Sequence, residues 1–199
     1  HKHRGEISLA TRGGPYMAFA QATQEIAELR ARAQTGEIDV AYLDEAGFAS
    51  IHPNRSAWTP VGEQHGIEAT RGKRLNVVAA LLSNGTVFSA KLWYPFTAPL
   101  FAGFVALLNK QVTKPLTVIL DNASVHTSRA IAPLMAVLRR QGVTLYFLPP
   151  YSPELNRIEK LWHLVKHRWM APKHRDAQTL ENEVGEVLDN VGTRYCMAF

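Results

Sequence analysis

A mixed β-sheet covered by α-helices is the fold class this sequence predicts, and three observations predict it. Two apolar segments flank a tight-turn signal at Ser83-Asn84-Gly85, near-continuous apolar runs follow at 116–120 and 143–148, and those runs alternate with segments of helical periodicity. The 199 residues, 46% hydrophobic and 20% charged, suffice to close one hydrophobic core.

Residues 1–14, HKHRGEISLATRGG, are a basic, glycine-ended lead-in without a period. From about 15 to 35, Phe19, Ile26, Leu29 and Ala33 recur at helical spacing before Gly36, a helix stop. That helix is either a spacer from an upstream module or a layer packed on the domain. IDVAYLD (38–44) is a strand pattern, and residues around Ser56–Pro60 suggest a second, short one. Asn84-Gly85 supplies the positive backbone angles of a hairpin turn between strands at 75–82 and 86–93, so the first half reads as an antiparallel meander.

A helix is expected from about Ala98 to Lys110, and LTVIL (116–120) has the composition of a strand buried on both faces. Thr127 or Ser128 can cap a helix carrying Ile131, Met135 and Leu138, which Gly142 ends. VTLYFL (143–148) reads as another buried strand, stopped by Pro149-Pro150. The next helix places Ile158, Leu161, Trp162, Val165 and Trp169 on one face with Asn156 as its expected cap, and Leu180, Val184, Val187, Leu188 and Val191 mark the last helix. The division expected is a lead-in and linker helix over 1–37 and one α/β domain over 38–199.

Composition narrows the function classes. The single cysteine, Cys196, excludes an intrachain disulfide and fits a reducing cytoplasm, and no Cys/His cluster suggests zinc. The longest apolar runs, such as VVAALL at 77–82, are too short to span a bilayer, and no signal peptide is legible, so no membrane partner is expected. Twenty-two Lys and Arg against 17 Asp and Glu favour a polyanionic partner such as nucleic acid. The chain begins at His1 rather than methionine, as a fragment or processed chain would.

Against this background three carboxylates stand out. Asp44 ends the apolar run DVAYL, Asp121 ends LTVIL, and Glu159 opens the amphipathic helix in PPYSPELNRIEKLW. Acids at the ends of buried strands are costly to desolvate unless a cation meets them, and magnesium takes hard oxygen ligands of this kind. Two ions about 3.5 to 4 Å apart would activate a nucleophile and stabilise a leaving oxyanion, which is what phosphodiester cleavage needs. Each acid also has a plainer reading: Asp44 and Asp121 as turn residues, Glu159 as the far end of a capping box with Asn156. Neither explains all three together.

Around them, Asn122 can orient Asp121, and His126 can contact a phosphate or make only a local backbone bond. Glu45 should point to the opposite face from Asp44, and Glu154 is the rival to Glu159. Basic residues gather at Arg71, Lys73 and Arg74, at Arg139-Arg140, at Lys160, at Lys166 with Arg168, and at 173–175. Such groups can track a DNA backbone or simply form a solvated surface. Trp58 could stack on a base, whereas Trp162 and Trp169 read as core.

The blocks YLDEAGF, WTPVGE, VILDNASVH and LPPYSPELNRIEKLW, in this order over roughly residues 38–170, resemble the catalytic domain of DDE-superfamily transposases, in the bacterial insertion-sequence branch related to the mariner elements. The resemblance implies a ribonuclease H-like fold, a Mg2+- or Mn2+-dependent nuclease and strand transferase with two ions, and Asp44, Asp121 and Glu159 as metal-binding catalytic residues. It further implies double-stranded DNA as partner, a homodimer in the active complex, and a bacterial cytoplasmic location associated with the nucleoid. Arg157 stands where related sequences often carry proline, and the spacing from Asp121 to Glu159 is slightly long. Helix-turn-helix modules usual in that family have no room before residue 38. The alternatives are a ribonuclease H-like nuclease that only hydrolyses, and a non-catalytic DNA-binding relic or repurposed protein.

Overall fold

The hairpin signal at Asn84-Gly85 becomes the antiparallel half of a five-stranded sheet. In the computed structural model, which describes residues 14–50, 74–121, 132–171 and 173–197, the strands are β1 (Asp39–Ala49), β2 (Arg74–Leu82), β3 (Val87–Leu92), β4 (Leu116–Leu120) and β5 (Val143–Phe147). Their order is β3-β2-β1-β4-β5. Gly85 takes φ 88°, and the Thr86 amide donates to Asn84 Oδ1 at 3.0 Å, which closes the β2–β3 turn. β1, β2 and β3 pair antiparallel, whereas β4 runs parallel to β1 and β5 parallel to β4. Parallel neighbours need a crossover, and α2 (Ala98–Asn109) precedes β4 while α3 (Ala132–Arg140) links β4 to β5.

Alternation along the strands divides the core in two. Val40, Tyr42, Ala46 and Phe48 of β1 join Ile119 of β4 on a first face. It is covered by α4 (Ile158–Leu164) through Ile158, Leu161 and Trp162, and by α5 (Ala177–Asp189) through Leu180, Val184 and Leu188. Ala41 and Leu43 join Val118 and Leu120 on the second face, under Phe101, Phe104 and Leu108 of α2 and Leu138 of α3. The first helix, α1 (Gly14–Gln34), is a packed layer rather than a free spacer: Ala22 and Ile26 are buried, and Tyr146 Oη of β5 donates to its Glu25. It stops at Gly36, whose φ of 80° lets Glu37 N donate back to Arg32 O at 3.0 Å.

Four readings of the sequence need correction. β1 does not end at Asp44 but continues to Ala49, because β2 still pairs with it from Asp44↔Ala79 to Ala49↔Arg74. β5 is an edge strand buried at Val143 and only partly covered beyond it, since it has β4 on one side alone. Asn156 does not cap the α4 helix with its side chain; Arg157 holds the cap position, without a side-chain cap bond. The helix from Ile158 to Trp169 is not α-helical throughout: α4 passes at Val165–Trp169 into a π-helical turn that returns Met170 N to Val165 O at 3.1 Å, while Ile158, Leu161, Trp162 and Val165 stay together in the first-face core with Trp169 packed against it. The short strand around Ser56–Pro60, the caps Thr127 and Ser128, Ile131, Trp58 and residues 1–13 lie outside the described residues. No helix among the described residues is long and apolar enough to cross a membrane.

Candidate active site

The parallel register between β1 and β4 ends at Leu43↔Leu120. Both leucines belong to the second face, so the next residue of each strand, Asp44 and Asp121, turns to the first. There β4 leaves the sheet while β1 goes on beside β2. The step this creates carries two carboxylates side by side, Asp44 partly buried and Asp121 exposed.

The α4 helix closes over the same step. Ile158, Leu161 and Trp162 are buried against the first face and fix the helix, which leaves Glu159 exposed on its first turn. Two side-chain bonds stitch this segment to β1 on either side of the Leu43–Asp44 peptide. Asn156 Nδ2 donates to Leu43 O at 3.2 Å, and Trp162 Nε1 donates to Asp44 Oδ2 at 3.1 Å. Asn156 Oδ1 accepts from no helix amide among the described residues, and Glu159 N donates instead to the Asn156 backbone carbonyl at 3.1 Å, so the capping-box reading of Glu159 loses its partner. Trp162 also meets the Phe48 ring edge-on at 6.1 Å, so it is core and site residue at once.

The electrostatics follow from this crowding. Asp44 is pushed up to about 6, first by burial and then by the negative charges of Glu159 and Asp121, against bonds from the Glu45 amide and the Trp162 indole that favour its ionised form. Lys166, whose Nζ lies 5.4 Å over the Phe48 ring, is lowered by burial and by the like charge of Arg74, while Asp44 and Glu159 pull it the other way. Of two predicted cations, Lys166 therefore shares a field with the carboxylates, and Arg74 lies near enough to Lys166 to act on it. Gly47 makes room for one of them, since a Cβ there would fall on the Arg74 guanidinium.

Asp44, Asp121 and Glu159 line one cleft of about 360 Å³ together with Asn156 and the segment Leu148–Pro153. Glu154, in the 3-10 turn Pro153–Leu155, is exposed and is not among the residues lining it. At the rim Tyr151 is 99% exposed with φ 59°, a left-handed backbone rare for a residue with a side chain. Among the described residues no three His, Cys, Asp or Glu side chains are drawn together tightly enough to cage a cation as they stand. Three carboxylates facing one cleft are a donor set of the chemistry that Mg2+ or Mn2+ takes.

Of the other predicted residues, Lys160 and Arg168 are exposed on α4 and on the π-helical turn, and Glu45 is exposed as expected from alternation. Asn122, His126, Arg71 and Lys73 lie outside the described residues. Sequence reasoning missed Trp162, Asn156 and Tyr151 as parts of the site. The signal for Trp162 was present, because it falls three residues after Glu159 and so on the same side of the helix.

A family model described as DDE superfamily endonuclease matches residues 39–181. The uncharacterized protein y4pE/y4sA of Sinorhizobium fredii is 33% identical over 81 residues, 41% of this chain and 48% of that protein. Among solved structures, the Mos1 transposase paired-end complex with left transposon end superposes with a TM-score of 0.62 at 16% identity, over 94% of this chain and 59% of that one. The Mos1 mariner paired end complex with Mn gives 0.62 at 17% identity, over 93% and 60%. The catalytic domain of Mos1 mariner transposase gives 0.56 at 14% identity, over 94% and 83%. The chain thus spans about half the length of the curated relative and about three-fifths of the transposase in its complexes. The sheet order and flanking helices are those of a ribonuclease H-like fold.

Proposed function

The chain belongs to the DDE superfamily of endonucleases, and from that premise we propose that it is the catalytic domain of a DNA transposase. It cleaves phosphodiester bonds at element ends and transfers the freed 3'-hydroxyl into target DNA. The observation that carries this reading is the shared cleft: Asp44 and Asp121 follow the last parallel pair of β1 and β4, and Glu159 faces them from α4. Catalytic work is assigned to residues 38–199, with α1 as linker helix and packed layer.

Asp44, Asp121 and Glu159 are the residues that would hold two divalent ions, Mg2+ or Mn2+, in keeping with the Mos1 complex solved with Mn. Bound there, the ions supply an activated nucleophile and neutralise charge on the leaving oxygen. The chain's own residues set the stage. Trp162 holds Asp44 through Oδ2 at the wall of the cleft, and the α4 helix brings Glu159 to the sheet's step. Arg74 and Lys166 flank the carboxylates and contact the phosphate backbone, aided by Lys160, Arg168, Arg71 and Lys73. Asn122 and His126 orient Asp121 and the reacting phosphate. The substrate is double-stranded DNA, the active form a homodimer that brings two ends together, and the place of action the bacterial cytoplasm, at the nucleoid.

A strand-transfer assay with pre-cleaved DNA ends and Mn2+ tests this. Joined product is expected from the wild type, and Asp44→Ala, Asp121→Ala and Glu159→Ala should each fall at least about a thousandfold while remaining folded. Hydrolysis without joining would reduce the chain to a nuclease. Full activity of Glu159→Ala would move the third ligand to Glu154, and no reaction at all would mark a relic.

A further inference from the structure

One buried polar atom of the cleft is left over by every contact described above. Asn156 is 4% exposed, and its Nδ2 donates to Leu43 O at 3.2 Å. That bond fixes which end of the amide is which, since a carbonyl can only accept. The opposite atom, Oδ1, is buried without a hydrogen-bond partner among the described residues. A buried acceptor without a donor is costly, and natural folds keep one mainly where an ion, a water or a reaction supplies the donor. Asn156 lines the cleft with Asp44, Asp121 and Glu159. Ionised carboxylates cannot donate to it, and an occupant of the cleft that carries a donor can.

We propose that Asn156 is a positioning residue for the divalent cation, its Oδ1 accepting a hydrogen bond from the ion's hydration water while its Nδ2 holds β1 at Leu43. The inference rests on the carboxylate site proposed above. It adds a neutral oxygen to three acidic ones and ties the cation to the backbone bond next to Asp44. Occupation of the cleft then satisfies an atom that the metal-free protein leaves orphaned. Mg2+ and Mn2+ suit this arrangement, because ions held by few carboxylates keep waters that need acceptors.

The test is Mn2+ binding by the chelator-treated full chain, followed as free Mn2+ by electron paramagnetic resonance, for the wild type, Asn156→Ala and Asn156→Asp. Asn156→Ala removes both the tether and the acceptor, whereas Asn156→Asp removes the tether and keeps an acceptor. We expect the alanine variant to bind Mn2+ about tenfold or more weakly and the aspartate variant to bind at least as tightly as wild type. Equal weakening of both would show that only the Leu43 tether matters, and wild-type binding by Asn156→Ala would remove any role; either result overturns the proposal. Should the alanine variant fail to fold, the aspartate variant decides, since weaker binding than wild type refutes the acceptor role. A wild-type chain that takes up no Mn2+ refutes the carboxylate site itself, which separates the two failures.

Discussion

The two faces of the sheet are built from alternate residues of the same strands, yet they are held to different standards. The second face is aliphatic and aromatic throughout, with Phe101, Leu108, Leu43 and Leu120 fully buried. The first face buries more apolar side chains but also takes Asp44, the indole bond to it, and Asn156. Both buried side-chain atoms without a partner among the described residues, Tyr42 Oη and Asn156 Oδ1, lie on this side. A face that only has to hold the sheet together can be sealed with hydrocarbon. A face that lines the carboxylate cleft keeps polar atoms unpaired, and their cost lowers stability until a ligand arrives.

The comparison predicts substitutions of opposite sign. Truncating the second face with Phe101→Ala should cost about 3 to 5 kcal/mol in urea unfolding, because a large fully buried ring leaves a cavity. On the first face, Asp44→Asn should raise the stability of the metal-free protein by up to about 3 kcal/mol at neutral pH, from a rise of about two pKa units at about 1.4 kcal/mol each. The sign follows from linkage. A carboxyl raised from 3.8 to about 6 binds its proton more tightly in the folded state, so folding loses stability as pH rises through that window and stays lower above it. The gap between Asp44→Asn and wild type should therefore be near zero below pH 3.8, widen up to about 6, and then level. A variant less stable than wild type at pH 8 would mean that the Trp162 bond outweighs the burial of charge, and the contrast between faces would fail.

How far this asymmetry was legible in the sequence depends on the kind of signal. The hairpin at Asn84-Gly85, the buried run LTVIL and the helix stops at Gly36 and Gly142 are local, written in turn chemistry and periodicity, and the fold follows them. Asp44 and Asp121 were visible as acids at the ends of apolar runs, and alternation gave Glu45 its opposite face. The parts that could not be read depend on pairing. Where β1 ends is decided by its pairing with β2, remote in sequence, and not by the composition of DVAYLDEAGF. The half-exposed state of β5 follows from its place at the sheet edge, which VTLYFL does not encode. Asn156 looked like a cap because Asn three residues before Glu is a cap pattern, but its Nδ2 is turned to Leu43 O, remote in sequence, and its Oδ1 meets no helix amide among the described residues.

Tyr42 offers the smallest and sharpest test of the difference between faces. Its ring is core on the first face, and its hydroxyl is buried without a partner among the described residues. Burial pushes the phenol up, and the charges of Arg157 and Arg30 offset only part of that. Tyr42→Phe keeps the ring and deletes the orphan group, so a gain of about 1 kcal/mol is expected, at the low end of the cost of an unpaired buried hydroxyl. Because Tyr42 is not among the residues lining the cleft, DNA cleavage by this variant should match wild type. A stability loss greater than about 0.5 kcal/mol would show that the hydroxyl has a hydrogen-bond partner in solution. The stability given up by the first face would then be confined to Asp44 and Asn156, where the cleft can recover it.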